Sequence, residues 1–463
     1  MKKNSKILFG SFLSLSLVLA ACGSGGEGAT KETNNNNTSS NEPAEAVTWD
    51  ENLLDPNDPT TVRFYSYTLG VAGATAGIEH LVDEFNDTIG TEQGIVLEAV
   101  HDADYQKSTA DIQAGLQVDI VQQTFRGMPS DINSKGYVPL ESVIPQDLMD
   151  DHFAPFPENA MSLGELNGNT YAIAWTFSTP ILFMNMDLLE EAGIEAEGGP
   201  ENWEELYDWA VEVQEHTDAY GFGYSPGTTS TQWSMDSILY SGGASVLNEE
   251  GTEATFNSPE AVEVFEFMNN FYKEDLSLKA TDSEILESFL AGNTAMYIQS
   301  TAAHNAMKTT FDENGWTLDG YPIPGFGSET SVPTNSGSGL SVRQPEDDQQ
   351  AQAMWEVIKF LTGEEAYTII TSEIGYLPLR TDITEDPEYL QPFLEENPII
   401  QRNVERLADI QSQTQWPAQG YPTTIEIFTD FRQRVFTTDA DIQEAADRAV
   451  EQMNNMLPAE PEF

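Results

Sequence analysis

The chain has 463 residues and carries 77 acidic against 19 basic side chains, a formal net charge of −58 at pH 7. A surface of that sign repels nucleic acid and anionic membranes, which excludes both as partners of the folded domain. One cysteine, Cys22, leaves no disulfide framework and no thiolate metal site, so core burial must stabilise two or three compact units or one protein of two lobes.

Lys2, Lys3 and Lys6 precede an apolar run over 7–21, the pattern of a secretory signal and too short for a comfortable membrane span. Ala20 and Ala21 supply small residues before a cut, and Leu19-Ala20-Ala21-Cys22 resembles the lipobox of bacterial lipoproteins. The resemblance implies that residues 1–21 are removed and that Cys22 is acylated, anchoring the protein in the membrane on the outer face of the cell. Residues 22–46 are mostly Gly, Ser, Asn, Thr and Glu and read as a disordered tether.

The ordered part begins near Trp49. "TVRFYSY" (61–67), "IVLEAV" (95–100) and "VDIVQ" (118–122) are rich in β-branched residues and read as strands. Ile78, Leu81, Val82 and Phe85 mark one face of a helix between the first two strands, and a second helix spans about 105–115. Such alternation predicts a parallel α/β sheet whose ligands sit beyond the C-terminal strand ends, where Tyr67, Thr68, Gln123 and Thr124 lie. A second α/β region follows: a turn at Asn167-Gly168, a strand "TYAIAW", a helix closing on Gly193, and a helix opened by an Asn202/Glu205 capping box. Ser258-Pro259 opens another helix, "TAMYIQ" (294–299) is a strand, and helices return near 351–361, 425–436 and 441–457.

Within "ENWEELYDWAVEVQE", Glu204, Asp208 and Glu212 stack like charges on one helical face, a repulsion that molar salt screens. The acidity therefore reads as adaptation to a saline or alkaline exterior, halophilic or alkaliphilic. Catalytic and metal motifs are missing: no G-x-S-x-G, no H-E-x-x-H, no P-loop, and no i,i+4 pair among the five histidines. Neither Asp102/Asp104 nor Asp439/Asp441 sits in a glycine-bearing calcium loop, and a glycosidase-type carboxylate pair has neither support nor contradiction. No cofactor, metal or catalytic residue is assigned.

What remains is a binding signature. "G-N-T-Y" (168–171), "LFMN" (182–185), Ala192-Gly193 and "NWEEL" (202–206) fall in order, followed by "FLAGNTAMYIQS" (289–300) and "IKFLTGEEAYTIITSEIGYLPLRTD" (358–382). This ordered set, with the lipobox and terminal helices, resembles the family 1 extracellular solute-binding proteins of bacterial ABC importers over essentially the whole mature chain. The resemblance implies a type II binding-protein fold: two α/β lobes closing on a solute in the cleft between them. Residues 47–172 and 300–350 would form the first lobe, and 173–299 and 351–457 the second. It also implies a carbohydrate ligand, permease subunits of an ABC transporter as partners, and a monomer.

A pyranose has hydroxyls at its rim and a face of C–H groups, so a sugar site combines aromatic plates with polar groups. Trp233, in the loop "SPGTTSTQWSMD", aligns with a family segment that supplies such a tryptophan. Trp175 and Ser178 lie at the first crossing, Ser300 and Thr301 at an expected second crossing, and Gly337 and Ser338 before a strand where backbone amides approach a ligand. Trp416 and Tyr421 add aromatic surface from the second lobe, whereas Trp203, Trp209 and Trp355 belong to helix faces and core. "FSTPILFMNMD" resembles the glycerol-3-phosphate-binding branch, whose members offer an arginine in the segment corresponding to "QGYPTT"; here Tyr421 stands there. That departure favours a neutral sugar or oligosaccharide over a phosphate, with glycerol 3-phosphate or a polyol as the alternative and Arg126 and Arg380 as possible anion partners. A secreted carbohydrate-active enzyme and a sensor subunit are the competing classes.

Overall fold

Strands rich in β-branched residues alternate with helices from the start of the computed structural model, which describes residues 47–462 except 50 and 72. The signal segment, Cys22 and the expected tether lie outside the described residues. Strands β1 (Thr60–Ser66), β2 (Ile95–His101), β3 (Ile120–Thr124) and β4 (Tyr137–Val138) open the first sheet, with β1 parallel to both β2 and β3. A hairpin of β5 (Glu165–Leu166) and β6 (Asn169–Thr170) turns on Asn167 and Gly168, whose φ values of 53° and 73° need residues that tolerate the left-handed region. Then come β7 (Ile173–Ser178), β8 (Pro180–Asn185), β9 (Tyr220–Gly223), β10 (Thr294–Ser300), β11 (Leu318–Pro322) and β12 (Ser336–Arg343).

These strands form two main sheets. The first has six strands in the order β2-β1-β3-β12-β4, with β7 also paired to β12; the second runs β11-β8-β10-β9. The sheets are mixed, because β12 is antiparallel to β3, β4 and β7, and β8 is antiparallel to β10 and β11. Each sheet feeds its own apolar core. Phe64, Ile78, Phe85, Trp175, Trp355 and Tyr367 are among the first, and Leu182, Trp203, Phe222, Phe265, Phe428 and Val450 among the second. Burying such side chains contributes about 1.5–3 kcal/mol each, so each lobe is held by its own interior.

Helix starts follow the caps in the sequence. Asn202, Ser258 and Asp441 accept from the third backbone amide beyond them and open helices Trp203–His216, Pro259–Lys273 and Ile442–Asn454. The expected reciprocal box at Asn202 is only half made: Glu205 turns instead to the Glu201 amide at 2.6 Å. Asp102 holds the amides of Lys107 and Ser108 at 2.8 and 2.9 Å, a capping role rather than a metal site.

Two segments lie in the other lobe from the one expected. Residues 300–322 belong with the second sheet: β11 pairs with β8, and helix His304–Asn314 packs Met307 and Phe311 against Ile181 and Phe183. Residues 351–397 belong with the first: helix Asp348–Leu361 buries Trp355 there, and the Tyr367 hydroxyl donates to the Trp175 carbonyl at 3.2 Å; helix Pro398–Val404 touches both, with Ile400 in the first core and Ile399 beside Ile181 and Phe183. From Trp416 onward the chain is in the second core. Among the described residues the chain therefore crosses between the sheets at Thr179, between β11 and β12, and over about 411–416. Local periodicity identifies a buried helix face but not which of two cores receives it.

Candidate functional site

The three crossings adjoin one another: Ser178, before the first, pairs with Ser336, after the second. Thr179 and Thr301 exchange bonds, Thr301 N to Thr179 O at 3.0 Å and Thr179 N to Thr301 Oγ1 at 3.3 Å, and both are buried. The second and third crossings bridge through Gln411 N to Pro333 O at 2.9 Å and Gln413 N to Asn335 Oδ1 at 2.9 Å. Thr334 Oγ1 then donates to the Trp233 carbonyl at 2.6 Å. The crossings thus hold the start of helix Gln232–Ser241, which carries Trp233.

On the first lobe, polar side chains gather where β1, β3, β7 and β12 end. Gln122 Nε2 donates to Thr68 Oγ1 and Ser338 Oγ at 2.8 Å each, and its Oε1 accepts from Ser66 Oγ at 2.7 Å. Thr176 and Ser338 share a hydroxyl bond. Tyr67 stands over this group and packs edge-on to Tyr105, with centroids 5.9 Å apart. Burial raises its phenol pKa, while the Ser338 and Thr176 hydroxyls and the nearby Arg126 charge act in the opposite direction.

On the second lobe, Asp236 and Arg432 are both fully buried. Asp236 Oδ2 accepts from Thr414 N at 2.8 Å and from Gln232 Nε2, and Oδ1 has no partner. Burial pushes its carboxyl up to about 7, against the lowering effect of the Thr414 amide and the Arg432 charge. Arg432 lies 4.8 Å over the Phe428 ring and donates from Nη2 to Thr228 O at 2.9 Å, while Nε and Nη1 have no partner. Burial lowers its pKa to about 10; Tyr224 and Asp236 raise it and Arg126, reaching from the first lobe, lowers it. An unpaired buried polar group costs about 1–3 kcal/mol.

Several expected site residues are brought to this region. Tyr67 and Ser338 share the polar group on the first lobe. Trp233 is 9 % exposed and belongs to none of the apolar clusters among the described residues. Tyr421 is half-buried against the second core, and its hydroxyl lies over Gly127 of the first lobe, 3.1 Å from where a Cβ there would stand. Ser178 is buried beside the first crossing.

Others are placed elsewhere. Trp175 is core: it packs on Phe64 at 5.3 Å and donates to the Leu361 carbonyl at 2.8 Å. Trp416 is core too, fully buried against Phe428 with its indole N–H on Gln232 Oε1 at 3.4 Å; the flanking polar and Pro residues belong to a crossing, not to a ligand loop. Gln123 faces away from Gln122, since strand neighbours alternate, and bonds Asp131 at 2.6 Å. Ser300 caps the turn after β10 by accepting from the Ala302 amide. Gly337 has φ 123° and approaches β7 so closely that a Cβ would lie 1.9 Å from Thr176 O; the approach is to a strand rather than to a ligand. Arg380 is tied to Asp382 and Glu364 at 2.7 and 3.0 Å and is no anion partner.

Gln122, Thr176, Asp236 and Arg432 were missed. Period two from core residue Ile120 puts Gln122 on the inner face, and spacing of four from Phe428 puts Arg432 on the buried face of helix Thr423–Thr437, so both signals were present.

The profile of the bacterial extracellular solute-binding proteins matches residues 80–399. A binding protein of Brucella abortus is 24% identical over 283 residues; the match spans 60% of this chain and 66% of that protein, just under two thirds of its length. The sn-glycerol-3-phosphate-binding periplasmic protein UgpB of Escherichia coli is 23% identical over 365 residues, 76% of this chain and 78% of its own. Two solved structures share the two-lobed fold. The cyclic alpha-maltosyl-1,6-maltose binding protein of Arthrobacter globiformis superposes with TM-score 0.72 at 19% identity, covering 86% of this chain and 98% of its own. UgpB of Mycobacterium tuberculosis, in complex with glycerophosphocholine, gives 0.73 at 19% identity over the same shares, 86% and 98%. No helix among the described residues is long and apolar enough to cross a membrane.

Proposed function

We propose that this chain, which belongs to the bacterial extracellular solute-binding protein family, captures a neutral sugar or oligosaccharide between its lobes and delivers it to the permease of an ABC importer. The observation that carries the reading is Trp233: a large aromatic, nearly buried, absorbed by neither core and fixed by the crossing segments. The hydroxyl group of Ser66, Thr68, Thr176 and Ser338 belongs to the first lobe, and with Trp233 on the second it would give a solute an aromatic plate and hydroxyl partners from different lobes. A solute that touches both stabilises the closed form by its differential contacts, and the crossings are the segments that absorb the hinge rotation. Cys22, cut and lipidated, would tether the monomer through residues 22–46 to the outer face of the membrane.

The carbohydrate reading is supported by the relative named for a maltosyl-maltose, and the alternative, a glycerol phosphate, by the two proteins named UgpB. Intrinsic tryptophan fluorescence of the mature chain in high salt, titrated with mono- and oligosaccharides, polyols and glycerol phosphates, separates them. A saturable shift with a sugar recovered unchanged supports capture. New reducing ends would instead identify a carbohydrate-active enzyme.

A further inference from the structure

We propose that the cavity beside the third crossing is a second binding site, which takes an uncharged polyhydroxyl compound and, when occupied, favours the closed arrangement of the lobes. The cavity has a volume of about 800 Å³, within the range of small-molecule sites, and none of Tyr67, Gln122, Trp233, Ser338 or Tyr421 lines it. It is therefore distinct from the group of residues read above as the solute cleft, and it depends on that reading only through its effect on closure.

Both lobes and the hinge contribute to it. Leu163 of the first core lines the cavity, as do Leu247 of the second core, Tyr240 and Ser245, and the crossing itself lines it from Gln411 to Gln415. Gln415 Nε2 reaches the Leu163 carbonyl at 3.5 Å, and the Tyr240 hydroxyl donates to the Ser412 carbonyl at 3.3 Å, so each lobe's wall is tied to the crossing. Gln413 is only 5 % exposed. Its backbone is fixed, with the N–H on Asn335 Oδ1 at 2.9 Å and the carbonyl accepting from Ser412 Oγ at 3.1 Å. Its side-chain amide has no hydrogen-bond partner among the described residues. Unlike Asp236 Oδ1 or Asn335 Nδ2, that amide is not sealed in the interior, and the residue lines the cavity.

That lining selects the ligand. An amide offers two donors and an acceptor, and a hydroxyl both donates and accepts, so neighbouring hydroxyls satisfy Gln413 at both ends. The Tyr240 ring, held on the crossing, adds a face for C–H groups. Glu249 and Glu250 are the only charged side chains around the cavity, and both are exposed. With no cation to offset them, a phosphate or carboxylate is repelled. In this arrangement the lobes touch across the cleft, the Tyr421 hydroxyl lying over Gly127. A compound that spans both walls here stabilises the arrangement by contacts that parted lobes do not keep.

The test is equilibrium dialysis of the full mature chain in high salt against mannitol, glucose and glycerol 3-phosphate, run on the wild type, Trp233→Ala, Gln413→Leu and Ser162→Trp. Gln413→Leu removes the amide at similar volume, and Ser162→Trp crowds the cavity from an exposed position, which keeps the result readable should the first variant unfold. Mannitol or glucose should bind Trp233→Ala as it binds the wild type, and bind both Gln413→Leu and Ser162→Trp about tenfold more weakly. Glycerol 3-phosphate should not compete. Small-angle scattering of the Trp233→Ala chain should show a smaller radius of gyration with the bound polyol, and no change for Gln413→Leu. Polyol binding that Gln413→Leu and Ser162→Trp both retain overturns the site; where Trp233→Ala abolishes that same binding, the polyol belongs to the cleft and capture stands. Binding by none of the chains also overturns the site, and capture is then judged on the oligosaccharide titration alone. A radius of gyration that the bound polyol leaves unchanged overturns the link to closure.

Discussion

Tryptophans divide into two kinds here, and the division is visible only in their surroundings. Trp175 and Trp416 are fully buried and bonded through their indole N–H within a core, whereas Trp233 is buried outside every apolar cluster. Truncating the core pair leaves large cavities, so Trp175→Ala and Trp416→Ala should each lose about 3–5 kcal/mol in urea unfolding. Trp233→Ala, outside the apolar cores, should cost less stability than either of these yet lose its sugar affinity by tenfold or more. Equal binding by Trp233→Ala would return that residue to the scaffold. His152 supplies a second residue-scale test. Its ring lies between Phe153 and Trp355, with centroids 4.8 and 5.6 Å away, and burial pulls its pKa down to about 4. The unfolded chain therefore binds a proton that the folded one refuses, so stability falls as pH drops from about 6.5 towards 4. His152→Gln should flatten that part of the pH–stability curve, seen as a smaller change in melting temperature between pH 7 and pH 5.

At the scale of elements, the crossings carry the consequence. Gly337 lets β12 come against β7 at a φ that L side chains avoid, with Thr176 O where a Cβ would be. Gly337→Ala should destabilise the first lobe by about 1–3 kcal/mol, measured by thermal unfolding, and disturb the Ser338–Gln122–Thr176 group beside it. Elements themselves were legible: the strands, the Asn202, Ser258 and Asp441 caps and the apolar helix faces follow from short-range spacing. Lobe membership was not. Helix Asp348–Leu361 and the segment around β11 carry good apolar faces, but pairing of β11 with β8 and of β12 with β3 is decided by contacts across more than a hundred residues. The same limit applies to the site. Polar and aromatic character pointed to Trp233, Tyr421 and Ser338. A lone charged residue within a buried helix face, Arg432 or Asp236, was there to be read but draws notice only once its unpaired atoms are seen.

For the whole molecule, charge and closure are the two properties that matter. Glu204, Asp208 and Glu212 are exposed along one face of helix Trp203–His216, as their spacing requires, with the His216 ring 3.3 Å from Glu212. With a formal net charge of −58, self-repulsion weakens the folded state in dilute buffer. The melting temperature should rise by several degrees between 0.05 M and 2 M NaCl; a flat or falling curve would remove the saline reading of the composition. The central claim is that the lobes close on a carbohydrate. Its most direct test is small-angle scattering of the mature chain in high salt, with and without saturating sugar from the titration panel. The account predicts a smaller radius of gyration with the bound sugar, and no change for Trp233→Ala at the same concentration. A sugar that binds while the scattering of the wild-type chain stays the same would contradict it.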